Sequence, residues 1–314
     1  MQTRNVGRSG LEVSLVGLGC NNFGVLGIEQ SRKVVHRALD LGVTLFDTAD
    51  VYGNRGGSEE QLGEILGPRR KDIVLATKFG MQMDEQGTKM GGSRRYIVSA
   101  VEASLKRLKT EWIDLYQLHR ADSKTPIAET LSALDDLVRA GKVRYIGCSN
   151  LPAWGVADAA WAARDLKSSP FVCAQDEYSL LVRDAERELV PALEAYGMGL
   201  IPYFPLASGL LTGKYKHGAE IPAGTRMALM KRLSDRYLTE RNWKIVGALE
   251  EFCAARNRTL LELAFSWLAG RPAVASVIAG ATRPEQIEQN VKAAEWSLTA
   301  EDLAAVDSIT RDPR

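Results

Sequence analysis

Apolar residues gather in short β-rich runs, separated by longer segments whose apolar positions fall three and four apart. The runs SLVGLG (14–19), VTLF (43–46), DIVLATK (72–78), DLYQLH (114–119), VRYIGCS (143–149), FVCAQ (171–175), GLIPY (199–203) and ASVIAG (275–280) predict eight strands. Segments such as EQSRKVVHRALDLG (29–42) predict amphipathic helices between them. Alternation of strand and helix indicates a parallel sheet with helices on its faces. Eight such units predict a closed (β/α)8 TIM barrel over residues 1–314, read as one domain. No G-x-G-x-x-G turn follows the first strand, which weakens a doubly wound dinucleotide fold. Ahead of the barrel, TRNV and LEVS flank the turn GRSG and predict an N-terminal β-hairpin.

Two connections are unusually long: GMQMDEQGTKMGG (80–92) after the third strand, and roughly 204–237 after the seventh. Loops of this length in a compact domain are functional or disordered. Both follow the C-terminal ends of strands, the face on which barrel enzymes carry their active sites.

Composition narrows the function classes. A chain of 314 residues, 45% hydrophobic and 25% charged, has ample material for a core. Its formal net charge of +1 argues against a bulk electrostatic hold on nucleic acid or anionic lipid. Any phosphate must therefore be bound locally. No apolar run reaches transmembrane length, and the first residues lack the apolar stretch of a secretory signal. Cys20, Cys148, Cys173 and Cys253 show neither C-x-x-C nor a metal-like spacing with histidine, so free thiols in a cytoplasmic protein without a bound metal are expected.

The polar residues that end the apolar runs carry the chemistry. Asp47 follows VTLF, with Tyr52 five positions on, and the next two strands end in Lys78 and His119. Ser149 and Asn150 end the fifth strand, Gln175 the sixth and Tyr203 the seventh. Each has an ordinary structural use: an aspartate caps a turn, a strand-end lysine is solvated, a histidine in an apolar run is buried and satisfied. Together, at the spacing of successive βα units, they converge on one rim. Carbonyl reduction needs a hydride donor at carbon and a proton donor at oxygen. A free tyrosine, with a pKa of about 10, is a poor acid–base group near neutrality. A lysine ammonium within about 4–6 Å favours the phenolate and should lower that pKa. Asp47 would hold Lys78 charged, and His119 would donate to the carbonyl oxygen or share its proton with Tyr52.

At these residues the chain resembles the aldo-keto reductase superfamily, in its bacterial and potassium-channel β-subunit-like branches. The shared segments are FDTADVYG with GGSEEQLGEIL (46–66), ATK (76–78), DLYQLHR (114–120), GKVRYIGCSN (141–150), PLASGLLTGKY (205–215) and GATRPEQIEQN (280–290). The resemblance implies a catalytic tetrad of Asp47, Tyr52, Lys78 and His119, with Tyr52 as general acid, and an extended NADPH across the barrel mouth. Ser149, Asn150 and Gln175 would hold the nicotinamide amide, and Tyr203 would stack on the ring. Backbone of Leu206, Ser208, Gly209 and Leu210, with Lys214 and Arg226, would cradle the pyrophosphate. The segment opening at Gly280 would place Thr282, Arg283 and Gln286 at the 2′-phosphate and Gln289 and Asn290 at the adenine.

Many members carry Lys-Ser where this chain has Gly280 and Ala281, and Arg where it has Gln286. Arg283 is then the obvious cation, and NADH stays open as a second cofactor. The chain ends soon after its last helical pattern, near 294, so the long C-terminal substrate loop of the steroid-handling branch is not expected. Small aldehydes or ketones are the implied partners, with oligomeric state unread. Two other functions compete: a cofactor-binding regulatory module of the channel β-subunit type, and a Schiff-base lyase using Lys78.

Overall fold

The computed structural model describes residues 1–311. The expected hairpin opens the chain: β1 (Thr3–Asn5) and β2 (Glu12–Ser14) pair antiparallel, with Thr3 opposite Ser14. Then come β3 (Val16–Gly19), β4 (Leu45–Asp47), β5 (Val74–Phe79), β6 (Ile113–Leu118), β7 (Val143–Ser149), β8 (Phe171–Gln175), β9 (Gly199–Leu200) and β10 (Val277–Gly280). These form one parallel sheet in the order β10-β3-β4-β5-β6-β7-β8-β9, so each predicted run supplies one strand. Beyond β9, the Leu200 N–H donates to the Ala273 carbonyl at 2.7 Å and the Ala275 N–H donates back to Leu200 at 2.8 Å. Leu200 also bridges Val274 in parallel, which links β9 to the residues leading into β10. The architecture is an eight-stranded parallel sheet curled like a TIM barrel, with helices packed outside it.

The helices form where the three-four spacing predicts them. In Ile28–Asp40, for example, the buried positions are Ser31, Val34, Val35, Ala38 and Leu39, one apolar stripe turned to the sheet. Strand alternation then separates two cores. An outer one lies between strands and helices and includes Phe46, Leu75, Tyr116 and Ile146. The inner one joins Leu45, Ala76, Leu115, Cys173 and Ile201 to Val6, Leu11 and Val13 of the hairpin region. Two residues further along each strand, on the same face, stand Asp47, Lys78, Gln117, Gln175 and Tyr203. Period two therefore carries the inner face from an apolar floor to a polar rim.

Two expectations need correction. The connection after the seventh predicted strand is not one loop: it contains helical turns at Ala207–Thr212, Arg226–Leu229 and Lys231–Tyr237. The chain also does not lose its helical pattern near 294. A further helix, Ala300–Thr310, is started by a reciprocal capping box between Thr299 and Asp302. The segment 80–92 is irregular but tied down: Gly91 N–H donates to Gly80 O at 3.0 Å, and Gly92 N–H donates to Asp122 Oδ2 at 2.8 Å. All four cysteines are free and buried. Among the described residues, no helix is long and apolar enough to cross a membrane.

Candidate active site

Asp47 ends β4 and Lys78 lies near the end of β5, where Asp47 pairs in register with Ala76. The Lys78 ammonium donates to Asp47 Oδ2 at 2.7 Å and to the Thr48 carbonyl at 2.8 Å. Lys78 is fully buried and Asp47 is 3% exposed. The other Asp47 oxygen accepts from Gln175 Nε2 at 2.8 Å and, more weakly, from Gln117 Nε2 at 3.4 Å. A buried charge needs a partner and hydrogen bonds to its remaining polar atoms, and this pair has both.

Tyr52 sits above the pair. Its ring centroid is 5.0 Å from Lys78 Nζ, and its ring meets His119 edge-on at 5.7 Å between centroids. The chain can turn here because four residues in a row, Gly53, Asn54, Arg55 and Gly56, take positive φ. Gly53 has no alternative, since at φ +67 a Cβ would lie 2.5 Å from the Phe23 carbonyl. The four side chains Asp47, Tyr52, Lys78 and His119 thus meet, as expected.

The electrostatics differ from expectation in one respect. Lys78 does act to lower the Tyr52 pKa, but burial outweighs it and the phenol ends above its ordinary value. Tyr52 therefore holds its proton at neutral pH. For Lys78, burial favours the neutral amine, yet Asp47 and Tyr52 together overcome it and leave the pKa raised. A Schiff-base amine needs the opposite, an unprotonated lysine, so this geometry disfavours the lyase reading. Burial, aided by Lys78 and Arg120, depresses His119 to about 3, so its imidazole is neutral. Its Nδ1 is buried and has no hydrogen-bond partner.

Beside this group, the Ser149 hydroxyl donates to the Gln175 carbonyl at 2.7 Å, and Asn150 Nδ2 donates to the His119 carbonyl at 3.1 Å. The Tyr203 hydroxyl donates to Asn150 Oδ1 at 2.8 Å. Ser149, Asn150, Gln175 and Tyr203 thus form one network with Asp47 and His119.

The remaining predicted residues lie on two segments. Leu206 precedes a turn in which Ser208 and Gly209 take left-handed backbone, with φ of 57 and 97. The Ser208 hydroxyl is buried without a partner, and Leu210 is buried. Lys214 lies over the Tyr215 ring, and Arg226 over the Phe204 ring. Burial lowers the Arg226 pKa, and Arg226 in turn acts on Tyr52. On the second segment, Gly280 ends β10, and Thr282 and Arg283 are exposed. Gln286 Oε1 accepts from the backbone N–H groups of Thr282 and Arg283 at 2.7 and 3.2 Å, capping helix Pro284–Ala293. Asn290 is buried and Gln289 exposed.

Three participants escape the sequence reading. Gln117 is legible in retrospect, two positions after inward-facing Leu115 on one strand. Asn22, whose Nδ2 donates to the Ala281 carbonyl at 2.8 Å while its Oδ1 is buried and unpartnered, carries no signal in its own segment. Asp50 is 1% exposed with neither carboxyl oxygen hydrogen-bonded, and burial, reinforced by Glu59, pushes its pKa to about 8.

The chain matches the aldo/keto reductase family over residues 15–311 and belongs to that family. It is 37% identical to the L-glyceraldehyde 3-phosphate reductase of Escherichia coli (strain K12), over 99% of this chain and 93% of that protein. It is 39% identical to a probable voltage-gated potassium channel subunit beta of Arabidopsis thaliana, over 93% of this chain and 91% of that one. An uncharacterized oxidoreductase of Bacillus subtilis (strain 168), YqkF, is 36% identical over 99% of this chain and 97% of its own length. Membership supports oxidoreductase activity in general.

Proposed function

We propose that this protein reduces small aldehydes and ketones to alcohols, using NADPH and with Tyr52 as the proton donor. The observation that carries the proposal is the buried Lys78–Asp47 pair beneath Tyr52, at 2.7 Å between charges and 5.0 Å from ammonium to ring. Tyr52 donates its hydroxyl proton to the carbonyl oxygen, and the phenolate left behind is stabilised by Lys78. Asp47 keeps Lys78 protonated throughout. His119, neutral, orients the carbonyl oxygen against the Tyr52 hydroxyl. NADPH, when bound, supplies the hydride to the carbonyl carbon.

The chain's own residues fit such a dinucleotide. The buried Ser208 hydroxyl and Asn22 Oδ1 lack partners, which a polar ligand would satisfy. Lys214 and Arg226 have no carboxylate partner among the described residues, so their charge is available to a pyrophosphate. Ser149, Asn150 and Gln175 offer amide-binding groups, with Tyr203 as the stacking surface. Gly280, Thr282, Arg283 and Gln286 would meet the 2′-phosphate at a helix N-terminus, and Gln289 and Asn290 the adenine. Arg283 favours NADPH, and NADH remains a second candidate. We read the Leu200 seam as closure of a full (β/α)8 barrel and the protein as cytoplasmic.

The 39% identity to a probable voltage-gated potassium channel subunit beta raises a second reading, a cofactor-binding regulatory role without turnover. Against it stands the complete group of Asp47, Tyr52, Lys78 and His119. Tyr52→Phe tests the proposal, with NADPH oxidation followed against a panel of small aldehydes. Loss of the hydroxyl should lower kcat about 10²–10⁴-fold while NADPH affinity is retained. A variant keeping more than about a tenth of wild-type kcat has too small a defect for a general acid.

A further inference from the structure

His119 is followed at once by Arg120, and the segment that carries them is fixed on both sides. The His119 N–H donates to the Phe79 carbonyl at 2.9 Å, and the His119 carbonyl accepts from Asn150 Nδ2 at 3.1 Å. Two residues on, the Asp122 carboxylate accepts from the Gly92 N–H at 2.8 Å, the Thr125 hydroxyl at 2.7 Å and the Lys124 N–H at 2.9 Å. Between these anchors Arg120 is exposed. Among the described residues its side chain has no ion pair and no hydrogen bond. Its charge acts on His119 and also on Tyr203, so the guanidinium stands at the rim within electrostatic reach of both. The nearby charges leave it unpaired. Lys78 is held by Asp47, and Arg236 by Glu177. Burial pushes the Asp176 and Asp50 carboxyls up to about 8, so both are largely protonated at pH 7. Asp122 already has its three donors, and Arg226 is committed to the pyrophosphate in the reductase reading.

We propose that Arg120 binds an anionic substituent of the substrate, a carboxylate or a phosphate, so that the preferred aldehydes are short and negatively charged. The inference rests on the reductase reading and narrows the substrate class of that same site. Consecutive Cα atoms are about 3.8 Å apart. An aldehyde whose oxygen meets His119 can therefore set an anion a few bonds away against the next side chain. A guanidinium presents a planar fork that matches carboxylate and phosphate alike. Ordering it against an apolar substrate would gain no hydrogen bond, whereas an anion gains a charge-assisted contact. The chain's net charge of +1 gives no general attraction for anions, so any such preference has to be local.

Steady-state reduction of matched aldehydes at saturating NADPH tests this: succinic semialdehyde against butanal, and glycolaldehyde phosphate against glycolaldehyde. The quantity read is the ratio of kcat/KM for the charged member to that for the neutral one. Comparing this ratio between proteins cancels the intrinsic reactivity of each aldehyde. Arg120→Gln should lower it about tenfold in at least one pair, the lower end for a charge-assisted contact because the guanidinium stays open to water. The loss should fall on KM rather than kcat. Arg120→Lys should keep part of the ratio, and Arg120→Glu should lower it beyond Arg120→Gln, an order that lost packing would not produce. Added salt should raise the wild-type KM for the charged members and not for the neutral ones. The pair that responds more strongly tells carboxylate from phosphate. Ratios unchanged in both pairs overturn the inference, as do Gln and Glu variants that lose charged and neutral aldehydes equally; turnover of butanal and glycolaldehyde by wild type then still upholds the reductase reading. A wild type that reduces none of the four aldehydes overturns both.

Discussion

Removing one member of the buried Lys78–Asp47 pair should cost far more than removing both. In Asp47→Leu the ammonium keeps the Thr48 carbonyl, a neutral acceptor, at 2.8 Å. In Lys78→Met the carboxylate keeps its donors Gln175 and Gln117 but loses its counter-charge. Breaking a buried pair in this way costs about 3–5 kcal/mol, because a desolvated charge is left without its partner. Combining Asp47→Leu with Lys78→Met removes both charges and fills the space with apolar atoms, a change that is often near neutral. The double variant should therefore be more stable than either single one, with a coupling energy towards the upper end of about 0.5–3 kcal/mol. Urea unfolding of the four proteins, followed by circular dichroism and extrapolated linearly, measures this. All three variants should still lose turnover, since each removes the charge or the geometry that stabilises the Tyr52 phenolate. Costs that simply add would refute the reading of a coupled buried pair, as would a Lys78→Met protein within about 1 kcal/mol of wild type.

Three further outcomes are expected. Arg283→Ala should weaken NADPH about ten- to a hundredfold, the loss of one charge-assisted contact, and leave NADH affinity unchanged; equal losses for both cofactors by isothermal titration would place the 2′-phosphate elsewhere. His119, depressed to about 3 in the fold, takes up its proton first in the unfolded chain, so its contribution is present above about pH 6.5 and is lost as pH falls. Between pH 7 and 5 the wild type should accordingly lose about 2 kcal/mol more stability than His119→Gln, and parallel curves would mean the imidazole is not held neutral. Asp50, raised to about 8, acts with the opposite sign: its contribution is full below the unfolded value of about 3.9 and fades as pH rises towards 8. Asp50→Asn should gain about 2 kcal/mol relative to wild type between pH 6 and 8, and a constant offset across that range would count against a protonated carboxyl.

The strands were legible because a strand of this parallel sheet is apolar on both faces, one turned to the helices and one to the inner core. That makes continuous runs such as VTLF and FVCAQ, which stand out from helical spacing. The hairpin was legible from GRSG between two short β-rich pieces. Short helical turns were not: residues 204–237 hold three of them, each too brief to show a period and set among Gly, Pro and Lys. The final helix had its signal, T-A-E-D at 299–302, but the segment it caps shows little amphipathic contrast, with Val306 its one buried apolar residue.

The site divides along the same line. Residues whose role follows from strand parity could be found, because two steps beyond Leu45, Ala76 and Cys173 the inner face turns polar at Asp47, Lys78 and Gln175. What parity cannot give is the balance between burial and charge. Lys78 beside Tyr52 reads as a lowered pKa, yet a phenol withdrawn from water is harder to ionise, and here burial outweighs the ammonium. The balance has a direction that suits reduction. In the proposed reaction a neutral Tyr52 would already be the proton donor, and Lys78, kept protonated by Asp47, would become most favourable once the phenolate has formed. On that proposal the pair would stabilise charge that appears during the reaction rather than charge present beforehand, which is the condition for an interaction to accelerate a chemical step.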